Sequence, residues 1–507
     1  MPDREEPMRE YGLFIDGEFT GAASGETFET HDPSTGETVA RVARAGKEDA
    51  DRALSAARRA FDEGPWPGLR PEDRTRIMLD VFDRLKEAEA DLADLEMRDA
   101  GQTIRTASLF FIPYSTEFWK YLAEAASRIS YVEQVPRYDF PVPAWEWVQR
   151  EPFGVCSQII PWNVPYMMAM WKIAPAIATG NTVVLKPAAE TPGTAMELAG
   201  IIAESDIPPG VVNIIPGPGV PTGEAMVTDP RVDKIAFTGS TEVGRRIMQL
   251  ASSNITYCTL ELGGKSPNIL LDDADLDIAI PGALWAMYLH QGQICQAGSR
   301  LLVPGSLYDE VVARIVETVE GLKVGSAHDF ESDLGPVLNA SQGRTIERYI
   351  ELGQNEGAKL LTGGERLTGD GLDDGWFLQP TVFGDVDRSM KIAREEIFGP
   401  VLSILRYDSV DEALDIANDS IYGLAAGVWS RDVPRALEVV RRLKAGTVWV
   451  NDYHLISPAA PFGGFKQSGI GREHGEWGLK GYLEVKTVRV EQALSKEQKF
   501  WFQTLGL

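Results

Sequence analysis

The sequence predicts a multi-domain α/β protein built mainly on parallel sheets, and three observations predict it. Strand-like and helix-like segments alternate from about residue 155 to 251, and a second alternating series follows from about 268 to 450; such alternation is the mark of a parallel sheet with helices on both faces. The chain has 507 residues, 44 % of them hydrophobic and 24 % charged, which is too long for one simple core and leads to an expectation of about three folding units. The most apolar stretch, residues 164–185, carries Pro165, Lys172, Pro175, Gly180 and Asn181. A spanning helix needs about 20 consecutive apolar residues, so this stretch reads as buried α/β interior.

The elements follow in order. Residues 11–45 read as short strands and turns, with Leu13-Phe14-Ile15 running into Asp16-Gly17. Over 47–60, 70–100 and 104–126 apolar residues recur at helical spacing between charged ones. Between 131 and 150 the texture changes to proline and aromatic residues, including Trp145-Glu146-Trp147-Val148. That pattern reads as an extended hairpin leaving one domain, with aromatics suited to a partner chain. Strands are then expected at 155–160, 211–215 and 234–237, helices at 195–204 and 242–251, and a terminal strand at 481–490. No internal repeat or low-complexity tract interrupts the series.

Composition narrows the function classes. The 49 Lys plus Arg against 75 Asp plus Glu leave a formal charge of −26, which argues against nucleic acid and against an anionic membrane surface as partners. Three cysteines make no disulfide framework and point to a reducing compartment. The acidic start, MPDREEPMRE, has no apolar secretory core; a cytoplasmic protein is expected. The five histidines are scattered, with no zinc-like spacing, so no metal site is expected. Acidic runs such as Asp272-Asp273-Ala274-Asp275 and Asp370-Gly371-Leu372-Asp373-Asp374 are read as a solubility feature, with adaptation to a salty cytoplasm as a hypothesis.

Four constellations are candidates for chemistry. Phe237-Thr238-Gly239-Ser240-Thr241-Glu242-Val243-Gly244 sets hydroxyl residues at a helix start, where free N–H groups suit phosphate; an ordinary capped helix explains it as well. Lys186-Pro187 lies at a strand's carboxyl end, where open α/β sheets bind ligands; a solvated lysine is the plainer reading. Glu261-Leu262-Gly263-Gly264 offers a carboxylate for general-base work beside two glycines that permit close backbone approach, although a surface Glu at a turn also fits. Cys295 sits among small and polar residues in Gln291-Gly292-Gln293-Ile294-Cys295-Gln296-Ala297-Gly298-Ser299-Arg300, the setting of a nucleophile. Cys156 and Cys258 read as packing.

Taken in order with Pro161-Trp162-Asn163, with Glu395-Glu396-Ile397-Phe398-Gly399-Pro400 and with Pro461-Phe462-Gly463-Gly464-Phe465-Lys466-Gln467-Ser468-Gly469, these motifs resemble the aldehyde dehydrogenase superfamily from about Phe14 to Thr487. The resemblance implies a Rossmann-like cofactor domain (1–130 and 151–263), an α/β catalytic domain (264–475) and a small β oligomerisation arm with tail (131–150 and 476–507). It implies NAD as cofactor and a homodimer or homotetramer. It assigns Cys295 as nucleophile, Glu261 as general base and the Asn163 amide as oxyanion donor. Lys186 would hold the adenosine ribose; Trp162, Gly239, Ser240, Thr241, Gly244 and Leu262 would surround the pyrophosphate and its helix start. Glu396 would hold the nicotinamide ribose, with Phe398 beside the ring. The family often reads Lys-Pro-Ser-Glu, whose Glu repels a 2′-phosphate; here Ala189 takes that place and Glu190 lies one residue later, so NADP tolerance is expected.

The same resemblance places Val164, Met167, Met168, Trp171, Ile294, Gln296, Leu455, Ile456 and Phe462 along the substrate tunnel. These residues are mostly apolar or aromatic, which suits an uncharged aliphatic or aromatic aldehyde oxidised to its acid. A semialdehyde dehydrogenase is the alternative, and the Trp171 position argues against it, because semialdehyde-oxidising relatives often carry Arg there. The intact Cys295 argues against a non-enzymatic structural member of the superfamily.

Overall fold

The computed structural model describes residues 8–506; the first seven residues, most of the acidic start read above, and Leu507 lie outside it. Two large sheets carry the architecture. The first has eight strands, in the order Gly469–Ile470, Tyr257–Glu261, Lys234–Thr238, Val155–Ile159, Thr182–Lys186, Val212–Ile214, Leu13–Ile15 and Glu18–Thr20. Its five central strands pair in parallel, and four of them, including Val155–Ile159 and Thr182–Lys186, are buried along their whole length. Runs such as Thr-Val-Val-Leu-Lys are apolar on both faces because helices cover both faces. The hairpin of Leu13–Ile15 and Glu18–Thr20 turns through Asp16 and Gly17, both left-handed, at one edge. At the other edge the chain returns from far down the sequence: Gly469–Ile470 pairs antiparallel with Leu260 and Glu261.

The second sheet has seven strands, in the order Lys359–Thr362, Thr381–Gly384, Val401–Tyr407, Arg300–Pro304, Pro267–Leu270, Ala425–Trp429 and Thr447–Val450. All its pairs are parallel except the edge strand Lys359–Thr362. A three-stranded arm stands apart, with Ala144–Pro152 paired antiparallel to Leu483–Glu491 on one side and to Val132–Gln134 on the other. Trp145, on the arm, is 67 % exposed, and Phe140 and Tyr138 beside it are also exposed.

Three departures from the sequence pattern matter. The continuous helix expected over 104–126 is interrupted by a π turn at Ala107–Phe111, before Ile112–Ala126 resumes; such turns often mark functional sites. A short helix, Phe500–Leu505, follows the arm and was not foreseen. The acidic run at 272–275 is more than solvated surface, because Asp273 accepts from the Ser430 hydroxyl and the Asp432 N–H, Arg435 pairs with Asp272, and Asp275 caps the helix Leu276–Tyr288.

Residues 164–185 form the helix Pro165–Ala178 and the strand Thr182–Lys186, and every residue of both is buried. Among the described residues no helix is long and apolar enough to cross a membrane. Lys172, at the middle of that helix, is fully buried and paired with Glu473. A buried pair is fragile to loss of one partner, because the survivor is left charged and unsolvated. Lys172→Met is therefore expected to lower stability by about 3–5 kcal/mol, and Lys172→Met with Glu473→Leu to recover most of it, in chemical unfolding. A single-variant loss below about 1 kcal/mol would contradict this reading of the pair.

Candidate active site

The site forms at the carboxyl ends of the first sheet's strands, where the crevice of an open α/β sheet lies. Pro161, Trp162 and Asn163 follow the strand Val155–Ile159; Gly239 and Ser240 follow Lys234–Thr238; Leu262 and Gly263 follow Tyr257–Glu261. The second sheet contributes Cys295, five residues before the strand Arg300–Pro304, and the turn bearing Glu396 and Phe398. Together they enclose a cavity of about 270 Å3 that reaches Cys295, Asn163, Trp162, Glu396 and Phe398. The Trp162 and Phe398 rings meet edge to face, 5.3 Å between centroids, across the join of the two sheets.

The backbone around Cys295 is unusual. His290, Gln291 and Gly292 are all left-handed, with φ of 49°, 55° and 71°. Two such non-glycine residues in succession store strain of about 1 kcal/mol or more each, so the surrounding packing must impose them. At Gly292 a Cβ would stand 2.5 Å from the Gly399 carbonyl oxygen, so glycine alone fits. Beyond the cysteine, the buried Arg300 guanidinium donates to the carbonyls of Lys265, Ile416 and Ala417, each at 2.9 Å, and anchors the segment.

Asn163 is buried and held from both ends. Its side-chain amide donates to the Gln293 carbonyl at 2.7 Å, leaving a second N–H for the cavity. Its own carbonyl accepts from Gln102 Nε2 at 3.2 Å. Gln102 donates in turn to Glu96 at 3.2 Å, and Glu96 also accepts from Thr194 Oγ1 at 2.8 Å. Burial pushes the Glu96 carboxyl up to about 8.

The acids of the site share one physical condition, loss of water. Burial, then Glu396 and Glu261, push the Cys295 thiol up to about 12. Burial raises Glu396 to about 7, opposed by the Gly264 N–H that donates to it at 3.0 Å. Glu261 is raised well above the carboxylate range by burial and by Glu473, against the pull of Lys172 and Arg472. Both Glu261 oxygens lack a partner. A Cβ on Gly463 would sit 2.7 Å from Glu261 Oε1, so the carboxyl packs against that glycine and does not line the cavity.

Of the tunnel positions read from the sequence, Val164, Met167, Met168, Trp171, Ile294, Gln296, Ile456 and Phe462 line the cavity. Leu455 does not: it is 52 % exposed. The Tyr114 hydroxyl accepts from the Ile456 N–H at 2.6 Å and also bonds that residue's carbonyl, while the Leu455 carbonyl accepts from Trp449 Nε1. This anchoring brings Ile456 to the wall in place of its neighbour.

Gly239, Ser240 and Leu262 line the cavity; Lys186, Thr241 and Gly244 do not. Lys186 is buried at its strand end, Nζ donating to the Pro187 and Gly217 carbonyls at 2.9 Å each, and burial lowers it to about 8. Ser240 caps the helix Thr241–Ala251, accepting from the Val243 N–H. Gly244 lets that helix close on Leu262, where a Cβ would come within 2.5 Å. Phe110, Phe111 and Tyr114 line the cavity as well. Sequence spacing placed them on a helix without saying which face met the site, and the π turn sets that face. Thr238, within the motif of Gly239 and Ser240 but given no role by the resemblance, is a further wall residue, and its buried hydroxyl lacks a partner.

A model of the aldehyde dehydrogenase family matches residues 19–488. The chain is 46 % identical over 482 residues to the mitochondrial aldehyde dehydrogenase of Homo sapiens, covering 94 % of this chain and 92 % of that one. It is 42 % identical over 477 residues to the betaine aldehyde dehydrogenase of Bacillus subtilis (strain 168), covering 94 % and 96 %. The structure superposes on the NAD+ complex of an aldehyde dehydrogenase from Bacillus cereus with a TM-score of 0.91 at 43 % identity, covering 96 % and 97 %.

The raised thiol gives a measurable consequence. In the cofactor-free protein, alkylation of Cys295 by iodoacetamide should be slow at pH 7 and climb about tenfold per pH unit to beyond pH 10, followed by mass spectrometry of the Cys295 peptide. A rate that levels off below pH 8 would contradict the desolvated thiol.

Proposed function

The chain belongs to the aldehyde dehydrogenase family, and from that premise we propose that its cavity oxidises an uncharged aliphatic or aromatic aldehyde to the carboxylic acid, with Cys295 as nucleophile and NAD as the oxidant. The observation that carries the reading is the meeting of the Cys295 thiol, the spare Asn163 N–H, and Glu396 with Phe398 on one cavity joining the two sheets.

The residues present fit a dinucleotide. The capped helix start at Ser240 offers free backbone N–H groups to a pyrophosphate, beside Trp162 and Gly239. Glu396 is already oriented by the Gly264 N–H and suits the nicotinamide ribose hydroxyls, with Phe398 beside the ring. Lys186, with two of its three donors committed to carbonyls, keeps one for the adenosine ribose. When bound, NAD+ takes up the hydride from the aldehyde carbon.

The chain's own residues do the rest. Cys295 releases its proton to solvent, and its sulfur adds to the carbonyl carbon as the C=O π pair moves to oxygen, giving a thiohemiacetal alkoxide. The second Asn163 N–H and the Cys295 backbone N–H stabilise the oxyanion, and the Gln102–Glu96 chain holds Asn163 in place to do so. Loss of the hydride leaves a thioester on Cys295. Glu261, rotated from its dry seat against Gly463 toward Cys295, regains water and ionises. As general base it takes a proton from a water whose oxygen adds to the thioester carbonyl, and collapse breaks the C–S bond, releasing the carboxylic acid and the Cys295 thiolate. The eight-stranded sheet would thus serve the cofactor and the seven-stranded sheet the thiol, with the arm's exposed Trp145 and edge strands meeting a second copy of the chain.

Among the described residues that line the cavity, none is Lys or Arg, so a substrate carboxylate would find no partner there. This supports the uncharged substrate over a semialdehyde. Cys295→Ala is expected to abolish NADH formation with hexanal and benzaldehyde, and Asn163→Ala to lower kcat about a hundredfold; turnover retained in Cys295→Ala would contradict the assignment. A strong preference for betaine aldehyde or succinic semialdehyde over hexanal would contradict the substrate class. For the cofactor, kcat/KM should favour NAD over NADP by less than about a thousandfold, since Ala189 leaves the 2′-phosphate side without its usual carboxylate, and Ala189→Glu should widen the gap. A larger native preference would show that Glu190, close enough to raise Lys186, supplies the barrier instead.

A further inference from the structure

Gln296, the neighbour of Cys295, lines the cavity, and its buried side-chain oxygen is an unused hydrogen-bond acceptor. His454 Nε2 lies 3.1 Å from the Ala286 carbonyl oxygen. Only a ring N–H makes that bond, so the proton sits on Nε2 and the Nδ1 lone pair is free. Burial keeps the ring neutral, lowering it to about 3. Gln296 Nε2, 3.0 Å from that Nδ1 and 3.4 Å from the His454 carbonyl, donates to both.

The amide is therefore not free to flip, since turning it would set its oxygen against two acceptors. The backbone is fixed as well, the Gln296 carbonyl accepting from the Tyr453 hydroxyl at 2.9 Å. Gln296 Oε1 is left buried without a donor, and Trp171 Nε1, on another residue that lines the same cavity, is buried without an acceptor. Around them stand Tyr114, Ile294, Ile456 and Phe462, flat or apolar surfaces that suit a ring and leave both polar atoms unserved. A buried acceptor gains from a ligand that carries a donor and loses to an isostere that lacks one.

We propose that Gln296 Oε1, oriented by His454, is the specificity-determining acceptor of the substrate cavity and selects aromatic aldehydes bearing a neutral ring donor, a hydroxyl or an N–H, over their apolar isosteres. The inference rests on the cavity being the aldehyde site. A hydroxyl is favoured over an N–H, because it serves either orphaned atom, donating to Gln296 Oε1 or accepting from Trp171 Nε1.

The test is kcat/KM with NAD+ for benzaldehydes bearing hydroxyl or methyl at ring positions 2, 3 and 4, with hexanal in the same panel. The ratio of hydroxyl to methyl is compared between the parent chain, Gln296→Met and His454→Phe, which cancels the electronic difference between the two groups. At one ring position at least, the ratio should fall about tenfold in Gln296→Met and also fall in His454→Phe, where the amide is released. A ratio unchanged at every position in both variants overturns the proposal, and if Gln296→Met fails to fold, His454→Phe alone decides it. No NADH from any aldehyde, hexanal included, would instead overturn the aldehyde dehydrogenase reading beneath it.

Discussion

At Gly264 and Gly292 a side chain is excluded by facing backbone, and at Gly263 it would displace the Glu396 carboxylate, so three segments of chain meet closely there. A Cβ on Gly263 would stand 2.2 Å from Glu396 Oε2; one on Gly264 would stand 2.3 Å from the Cys295 carbonyl oxygen; one on Gly292 would meet the Gly399 carbonyl. The exit of the strand Tyr257–Glu261, the Cys295 segment and the Glu396–Phe398 turn are thereby packed at backbone distance. The left-handed run His290-Gln291-Gly292 follows from that packing, and Arg300 locks the far side. The cavity exists at the join of the two sheets because this contact is so close.

Closeness also means dryness, and dryness governs the titrations. Glu96, Glu261, Glu396 and Cys295 are all driven toward their protonated forms by burial. Burial thus lowers the charge that these groups carry, with Lys172 and Glu473 as a buried pair nearby. Against that background the fixed Asn163 dipole acts in a medium that screens little. In the proposed mechanism the charge that the reaction needs would be generated locally, by proton loss at Cys295 and by the move of Glu261 into water. The −26 of the whole chain lies elsewhere, and part of it is structural, as Asp273 and Asp275 show.

Much of this was legible in the residues. Buried runs such as Thr-Val-Val-Leu-Lys announce parallel strands, and Lys186, Ser240 and Glu261 fall at strand ends or helix starts as their motifs imply. Other features depend on contacts between distant segments. Ile456 rather than Leu455 faces the cavity because Tyr114, more than three hundred residues earlier, holds its backbone. Phe110 and Phe111 reach the wall through a π turn that helical periodicity does not reveal. Glu96 and Gln102 look like two more polar residues on and after a charged helix until folding buries them behind Asn163. The seat of Glu261 against Gly463 requires the return of the chain at Gly469–Ile470 to the sheet edge.

Covalent carriage of the acyl group by Cys295 is tested most directly in Glu261→Gln, mixed with NAD+ and hexanal and quenched in acid within the first turnover. A burst of one NADH per site, together with a hexanoyl mass increment on the Cys295 peptide that persists while turnover stalls, is the predicted result. A burst without an adduct, or an adduct on Cys156 or Cys258, would contradict it.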